Sequence, residues 1–509
     1  MNTAQQFDID DSKANHEIMT ALDDVKLLRN LAYINGKWVS GTEFKPVINP
    51  ANSEIVGYFT QLSQPQIISA VDAADTAFAS WRKLSADARS DYLLNWYQLI
   101  LNSKQDLARL MVIEQGKTLA EALGEVEYGA SFIRWFAEEA RRSYGETIPS
   151  HIANAQLSTI REPIGVAALI TPWNFPNAMI TRKAAAAMAI GCTVVIKPAS
   201  ETPFSALALA ELADRAGIPA GVFNIVTGKA STISHVLCQS DKVKALSFTG
   251  STPIGKLLLS DAAATVKKCS MELGGNAPFI VLPDMDIQQA AQAACDAKFQ
   301  TSGQDCLAAN RIFVPHQQFD AFIDHFATLV TQQSVGNGMQ DSTTVGPLIN
   351  HKAVEKAQQL LNDALIKGAT VTAQTDLTVV QECEGSYFPP TLLTDVTEDM
   401  DVYRQENFCP IAAVMPYSTV EQVIAMSNDT EYGLAAYVYG HDIHQIWQCL
   451  RGLEFGMVSV NSVKMTGHPI PFGGMKQSGL GREGSKHGFD EFSEIKYCCL
   501  GALPTASGS

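Results

Sequence analysis

GVAALITPWNFPNAMITRKAAAAMAIGCTVVIKPAS, residues 165–200, decides the fold. GVAALITPW reads as a strand, a helix follows, and TVVIKPAS reads as a second strand. The same texture continues downstream with a helix at 203–216, FNIVTG (223–228), a helix, ALSFTG (245–250) and another helix. Short β-rich runs alternating with helices predict βαβ units, hence a parallel sheet in a doubly wound domain. A second α/β series opens near 276 with APFIVLP and runs through RIFVP, GPLIN, TLLTDV, AAVMPY and GMVSVN. The break between the two series falls at Gly274–Gly275. Upstream, residues 64–145 read as helical, with polar caps and apolar residues at spacings of three and four. Segments 147–162 and 485–500 fit neither series, and their strand-like parts predict a small protruding sheet.

At 509 residues the chain is too long for one simple core, and two or three domains are expected. A hydrophobic content of 46% and a charged content of 18% describe an ordinary globular protein. The net charge of −16, with no Lys/Arg block, argues against a nucleic-acid partner. No apolar run approaches the ~20 residues of a membrane span. The acidic N-terminus has no apolar h-region, so it does not read as a signal peptide. A frayed leader is expected through about Asp24, and a loose tail after Leu503. The 10 cysteines form no CxxC pair and no zinc-site spacing, which points to a reducing cytoplasm without a structural metal.

Gly250-Ser-Thr-Pro-Ile-Gly255 follows the apolar strand ALSFT and precedes a helix. Glycines at such a turn let backbone N–H groups approach a pyrophosphate, although the turn alone is equally an ordinary βα connection. Lys197 ends another strand at the edge where open α/β sheets bind ligands, with a solvated strand-end lysine as the plainer reading. Three residues on stands Ser200, where a carboxylate would repel a 2′-phosphate. NADP is therefore favoured, with NAD as the alternative.

FQTSGQDC (299–306) ends in a cysteine within a short polar stretch, and Glu272 stands in MELGGNAP. A nucleophile and a base in two polar turns suggest covalent catalysis. PWNFP (172–176) closes the strand GVAALIT, which puts Asn174 at the top of the sheet with an amide able to donate to an oxyanion. One such donor can be worth roughly 3 kcal/mol. Singly, Cys306 reads as a small buried hydrophobe, Glu272 as a turn carboxylate and Asn174 as a helix cap.

PWNFP, KPASETP, FTGST, MELGGNAP, GQDC, ENFCP and PFGG occur in the order and spacing of the NAD(P)-dependent aldehyde dehydrogenases. The resemblance runs from about Tyr33 to Leu503. Within that superfamily, AMITRK, KPASETPFSALALAELA, ELGGNAPFIV and KQSGLGREGSKHG look most like succinate-semialdehyde dehydrogenases. The resemblance implies that Cys306 attacks the aldehyde as thiolate while Asn174 and the Cys306 backbone N–H hold the oxyanion. It further implies hydride transfer to the nicotinamide, and a thioester hydrolysed by water that Glu272 activates. Lys197 would hold the adenosine ribose, Gly250 and Ser251 the pyrophosphate, Glu406 the nicotinamide ribose and Phe408 the ring. Trp173 is expected on the adenosine side, and Ser200 and Gly228 complete the cofactor set. The implied fold has a Rossmann-type cofactor domain (25–146 and 163–273), an α/β catalytic domain (274–484) and a β-extension for oligomerisation (147–162 and 485–503). A homodimer or homotetramer in the cytoplasm follows by analogy.

The far end of the substrate is where the chain departs from its relatives. Phe175 and Arg182 share a helix face beside Asn174, so Arg182 is expected in the aldehyde tunnel, binding a distal carboxylate. A salt bridge within the fold is the alternative for it. Succinate-semialdehyde dehydrogenases typically carry a second arginine six residues before the nucleophile, and Gln300 stands there. The loop NSVKMTGHPIPFGG (461–474), which contributes Phe472, lacks the serine usual near Gly467, leaving Lys464 and His468 as substitutes. Ala308 excludes a disulfide switch two residues after Cys306, and Cys409 replaces the glycine usual in ENFCP. Succinate semialdehyde is the expected substrate, and another ω-carboxy or sulfonated aldehyde the alternative. A non-catalytic binding or structural member of the fold is disfavoured by retention of Cys306, Glu272 and Asn174.

Overall fold

A computed structural model describes residues 16–380 and 384–501. The first fifteen residues of the expected leader, Cys383 and the tail from 504 lie outside the described residues. The decisive stretch folds as its alternation requires. Val166–Ile170 and Thr193–Lys197 are adjacent parallel strands with Ala167 opposite Val194, joined by the helix Ala178–Ile190. Every residue of that helix is buried. Its small side chains let it lie close to the helix Leu119–Glu139, where a Cβ on Gly129 would stand 2.8 Å from the Thr181 hydroxyl. Gly191, at φ 112°, ends the helix in the left-handed region that glycine enters without a steric penalty.

The first sheet has eight strands, ordered Gly479–Leu480, Lys268–Glu272, Val243–Thr249, Val166–Ile170, Thr193–Lys197, Phe223–Ile225, Ala32–Ile34 and Lys37–Val39. Its five central strands are parallel. From Val166–Ile170 the chain first builds outward on one side, then crosses back to add Val243–Thr249 on the other. The switch point between those two strands is where an open α/β sheet leaves a crevice at its carboxyl edge. A second, seven-stranded sheet is ordered Thr370–Gln374, Thr391–Thr394, Ile411–Tyr417, Ala309–Pro315, Ala277–Val281, Ala435–Tyr439 and Met457–Val460. It is parallel except for its first edge strand. Each sheet is covered on both faces by apolar clusters.

Ala155–Pro163 and Ser493–Gly501 pair antiparallel, with Thr147–Ile148 on the far edge. This three-stranded sheet leaves Ile160, Ile495, Tyr497 and Leu500 exposed. The helical block resolves into Gln64–Trp81, Ala86–Asn102, Lys104–Gln115 and Leu119–Glu139.

Two expectations need correction. The chain is anchored well before Asp24: Ile18 and Leu22 are buried, and the Asp23 and Asp24 N–H groups donate to the Asp106 carboxylate at 2.9 and 2.8 Å. GPLIN is a loop, since its buried Leu348 pins an irregular segment through a 2.9 Å bond from its N–H to the Ser386 carbonyl. The strand Ala435–Tyr439 takes the place beside Ala277–Val281 in the second sheet. Among the described residues no helix is long and apolar enough to cross a membrane.

Candidate active site

Cys306 sits just past a tight turn, Gln300–Gly303, in which Thr301 and Ser302 take φ of 50° and 57°. Left-handed backbone at two consecutive non-glycine residues is strained and persists only when the surroundings enforce it. Here they do. The Thr301 N–H donates to Glu121 at 2.6 Å, the Ser302 hydroxyl to the Gly346 carbonyl at 2.8 Å, and the Ile349 N–H to the Gln304 side chain at 2.9 Å. Gly303 is required because a Cβ there would lie 2.4 Å from the Cys409 carbonyl oxygen. Cys409 is itself buried and presents that carbonyl to the turn.

The Asn174 Nδ2 donates to the Gln304 carbonyl at 3.0 Å, two residues before Cys306. An amide nitrogen carries two donors, so one remains for an oxygen formed at Cys306. Glu272 ends the strand Lys268–Glu272, 2% exposed, and neither carboxylate oxygen has a hydrogen-bond partner. Burial, reinforced by Glu483, raises its carboxyl well above the ordinary carboxylate range. The Cys306 thiol is likewise raised well above 9, by burial first and then by Asp305 and Glu406. The Cys306 thiol therefore keeps its proton near neutrality, and burial disfavours the charged form of Glu272.

Cys306 separates two cavities. The one behind it, of about 290 Å³, is lined by Trp173, Asn174, Gly250, Ser251, Glu272, Lys356, Glu406 and Phe408 among others. Glu406 accepts from the Gly275 N–H at 2.9 Å, and burial raises its carboxyl to about 7. Trp173 packs edge-on against Phe408 at 5.6 Å, within this cavity, which Cys306 also lines. Its expected position on the adenosine side is corrected, because PWNFP leaves its strand directly at the sheet's switch point. Lys197, Ser200 and Gly228 lie outside this cavity's wall. Lys197 ends its strand, half-buried, with Lys45 within electrostatic range. Ser251 caps the helix Thr252–Ala262 without a side-chain bond. The Asn407 amide and the Thr249 hydroxyl are buried and unpartnered. Free polar groups along a helix N-terminus and a carboxylate-lined cleft fit a dinucleotide.

The cavity in front of Cys306, of about 360 Å³, is lined by Phe175, Arg182, Gln300, Phe472, Tyr128, Glu121, Asp305, Lys464 and Thr466 among others. Arg182 is 1% exposed, with its Nε 2.5 Å from a Glu483 oxygen and its guanidinium 4.2 Å over the Phe472 ring. It thus makes a salt bridge within the fold and also faces the cavity beside Tyr128, where its Nη1 meets no hydrogen-bond geometry among the described residues. Burial opposes the charge on Glu483, but Arg182 and Lys183 hold that carboxyl below its ordinary value. Lys183 bonds both Glu483 and the Ser247 hydroxyl. Of the two substitutes for the missing serine, Lys464 lines the cavity, whereas His468 packs against Trp135 at 5.3 Å.

Sequence reasoning missed Lys183 and Glu483, one turn of charge hidden in an alanine-rich helix and a glycine-rich loop. It also missed Lys117, whose buried Nζ bonds Glu125 at 2.5 Å and lies 4.2 Å over the Phe175 ring. Glu125 in turn accepts from the Asn177 and Ala178 N–H groups at 2.9 and 3.1 Å. Charges inside a helical run are the available signal, and they read as solvated without tertiary information.

A comparison with known families matches residues 38–498 to the aldehyde dehydrogenase family. The non-phosphorylating aspartate-semialdehyde dehydrogenase of Halomonas elongata is 60% identical over 96% of this chain and 99% of its own. The NADP-dependent succinate-semialdehyde dehydrogenase of Escherichia coli is 48% identical over 94% and 99%. Among solved structures, an Escherichia coli NADP-dependent enzyme superposes with a TM-score of 0.93 at 48% identity, covering 94% of this chain and 100% of its own.

Proposed function

This chain belongs to the aldehyde dehydrogenase family and oxidises aldehydes, and we propose that its substrate is a short semialdehyde carrying a carboxylate at its far end. The observation that carries the reading is the cavity in front of Cys306, which holds the buried Arg182 with an unpartnered Nη1 and, on another wall, Lys464. Planar guanidinium donors suit a carboxylate, and a lysine adds a point charge. Succinate semialdehyde fits this description, and so does aspartate semialdehyde, on which the Halomonas elongata relative acts by its name.

In this reading the Cys306 sulfur, after losing its proton, bonds the aldehyde carbon. The resulting oxyanion accepts from Asn174 Nδ2 and the Cys306 N–H, donors fixed before the charge appears. A nicotinamide held in the rear cavity beside Glu406 and Phe408 would supply the oxidant that accepts hydride from the aldehyde carbon, which then remains on Cys306 as a thioester. Glu272 then draws a proton from water, whose oxygen attacks the thioester carbon. The carbon–sulfur bond breaks and the acid leaves. Glu272 is suited to this because nothing else hydrogen-bonds its oxygens. For the cofactor we favour NADP. Ser200 itself carries no charge, and Lys45 stands within electrostatic range of Lys197, with Glu201 the one opposing charge acting on that lysine. The exposed apolar residues of the three-stranded sheet, Ile495 and Leu500 among them, support a homodimer or homotetramer.

Steady-state kinetics on aldehydes with and without a terminal carboxylate, each with NAD and NADP, tests the proposal. The carboxylated aldehydes should show the larger kcat/KM, and Arg182→Ala should erase the difference. Equal kcat/KM for charged and uncharged aldehydes in the native enzyme would refute it.

A further inference from the structure

The charges around the front cavity do not balance in the way a plain carboxy-aldehyde requires. Glu483 is shared between Arg182 and Lys183, and Lys117 pairs with Glu125. That leaves Lys464, which makes no ion pair among the described residues, facing two carboxylates, Asp305 and Glu121. Glu121 is occupied: one oxygen takes the Thr118 N–H and hydroxyl, each at 2.9 Å, and the other takes the Thr301 N–H. Asp305 accepts from the Leu307 N–H at 3.0 Å and also contacts the Cys306 thiol, which leaves part of the acceptor capacity of its two oxygens free. Position 300, where an arginine would add a cation, is the neutral Gln300.

From this we propose that Asp305, with Glu121 beside it, is a specificity-determining residue that recognises an ammonium group on the substrate, while Lys464 and the Arg182 Nη1 take the carboxylate. The substrate class is then a 2-amino semialdehyde of four carbons, a zwitterion at its far end. The proposal rests on the semialdehyde reading above and deepens it.

Two further observations support it. In a four-carbon amino semialdehyde one methylene separates the aldehyde carbon from the carbon bearing the amino group. An ammonium on a substrate bonded to Cys306 therefore falls within reach of the adjacent residue, Asp305. The Arg182 Nη1, buried and unpartnered on the same cavity, is independent of the acidic pair and calls for an anionic partner. A substrate with one negative charge satisfies Arg182 and Lys464 but adds no cation for Asp305, whose neighbour Lys117 is already paired with Glu125. A zwitterion satisfies both sides.

The test compares kcat/KM for aspartate semialdehyde, succinate semialdehyde and propanal in the native enzyme and in Asp305→Asn and Asp305→Glu. The native enzyme should prefer aspartate semialdehyde over succinate semialdehyde by roughly tenfold to a hundredfold, as expected for a charge-assisted hydrogen bond. Asp305→Asn should collapse that ratio through KM, and Asp305→Glu should restore part of it. Should Asp305→Asn prove inactive, inhibition of native propanal oxidation decides, with L-aspartate expected to compete more strongly than succinate. A native preference for succinate semialdehyde, a ratio unmoved by Asp305→Asn, or stronger inhibition by succinate overturns the proposal. Oxidation of propanal with neither charged aldehyde preferred would instead sink the semialdehyde reading on which it rests.

Discussion

The two cavities that meet at Cys306 are built in different ways. The rear one takes its walls from turns at the carboxyl ends of neighbouring strands, with Trp173 and Asn174 after one, Gly250 and Ser251 after the next, and Glu272 at the end of a third. The front one is assembled from separate parts of the molecule: Tyr128 and Glu121 on a helix, Arg182 on the buried helix beside it, Gln300 and Asp305 around the strained turn, and Lys464 and Phe472 on a loop. A sheet edge recurs wherever the fold recurs, so its chemistry is general. A cavity drawn from four segments is particular to the chain that folds it.

Cys306 is the shared wall, and removing it should have the largest effect. Cys306→Ala is expected to lower kcat by on the order of 10⁴-fold or more, while NADP binding, read by fluorescence titration, survives. Loss of cofactor binding as well would show that the two cavities are not separable. Glu272→Gln comes next, with a turnover loss of roughly 10²- to 10⁴-fold and a retained burst of reduced cofactor, because only thioester hydrolysis needs the base. In the native enzyme the sign of the pH dependence follows from the raised carboxyl and the raised thiol. Each is protonated below its own raised value, so turnover should climb as pH rises from 6 to 9, and a flat profile would contradict both assignments.

Glu483→Gln strikes the front cavity from behind, leaving Arg182 and Lys183 buried without their counter-ion. Breaking a buried pair in this way costs about 3–5 kcal/mol, which denaturant unfolding would register. The smallest effect belongs to the rear cavity's distant end. Ser200→Glu should weaken NADP relative to NAD by about tenfold in KM, through repulsion of the 2′-phosphate.

The same division explains what was legible in the sequence. Gly250 and Asn174 were placed by the strands they follow, which announce themselves by apolar runs with known exits, whereas Glu272, read as a turn carboxylate, ends a strand. The short sheet built by 155–163 and 493–501 was visible as strand-like texture outside both α/β series. Glu483 was not found, because nothing in GREGS says that its carboxylate will be driven against Arg182 and Lys183, some three hundred residues earlier. Trp173 was assigned to the wrong end of the cleft, since its motif fixes a strand exit but not which part of the crevice that exit faces. GPLIN was misread because a buried leucine between Pro347 and Ile349 looks the same in an anchoring loop as in a strand. Arg182 was expected in the cavity, and its partnership with Glu483 was open until three-dimensional neighbours were known.

The helix Ala178–Ile190, buried around its whole circumference, sets limits on how the family can diversify. Enlarging almost any of its alanines would force apart the sheet and the helix Leu119–Glu139, so Arg182 is held at a fixed depth and heading. Exchanges at 300, 305 and along 461–474 would reshape the cavity without enlarging that helix. New specificities would arise as exchanges of loop residues around an inherited cation, rather than as relocations of the cation itself.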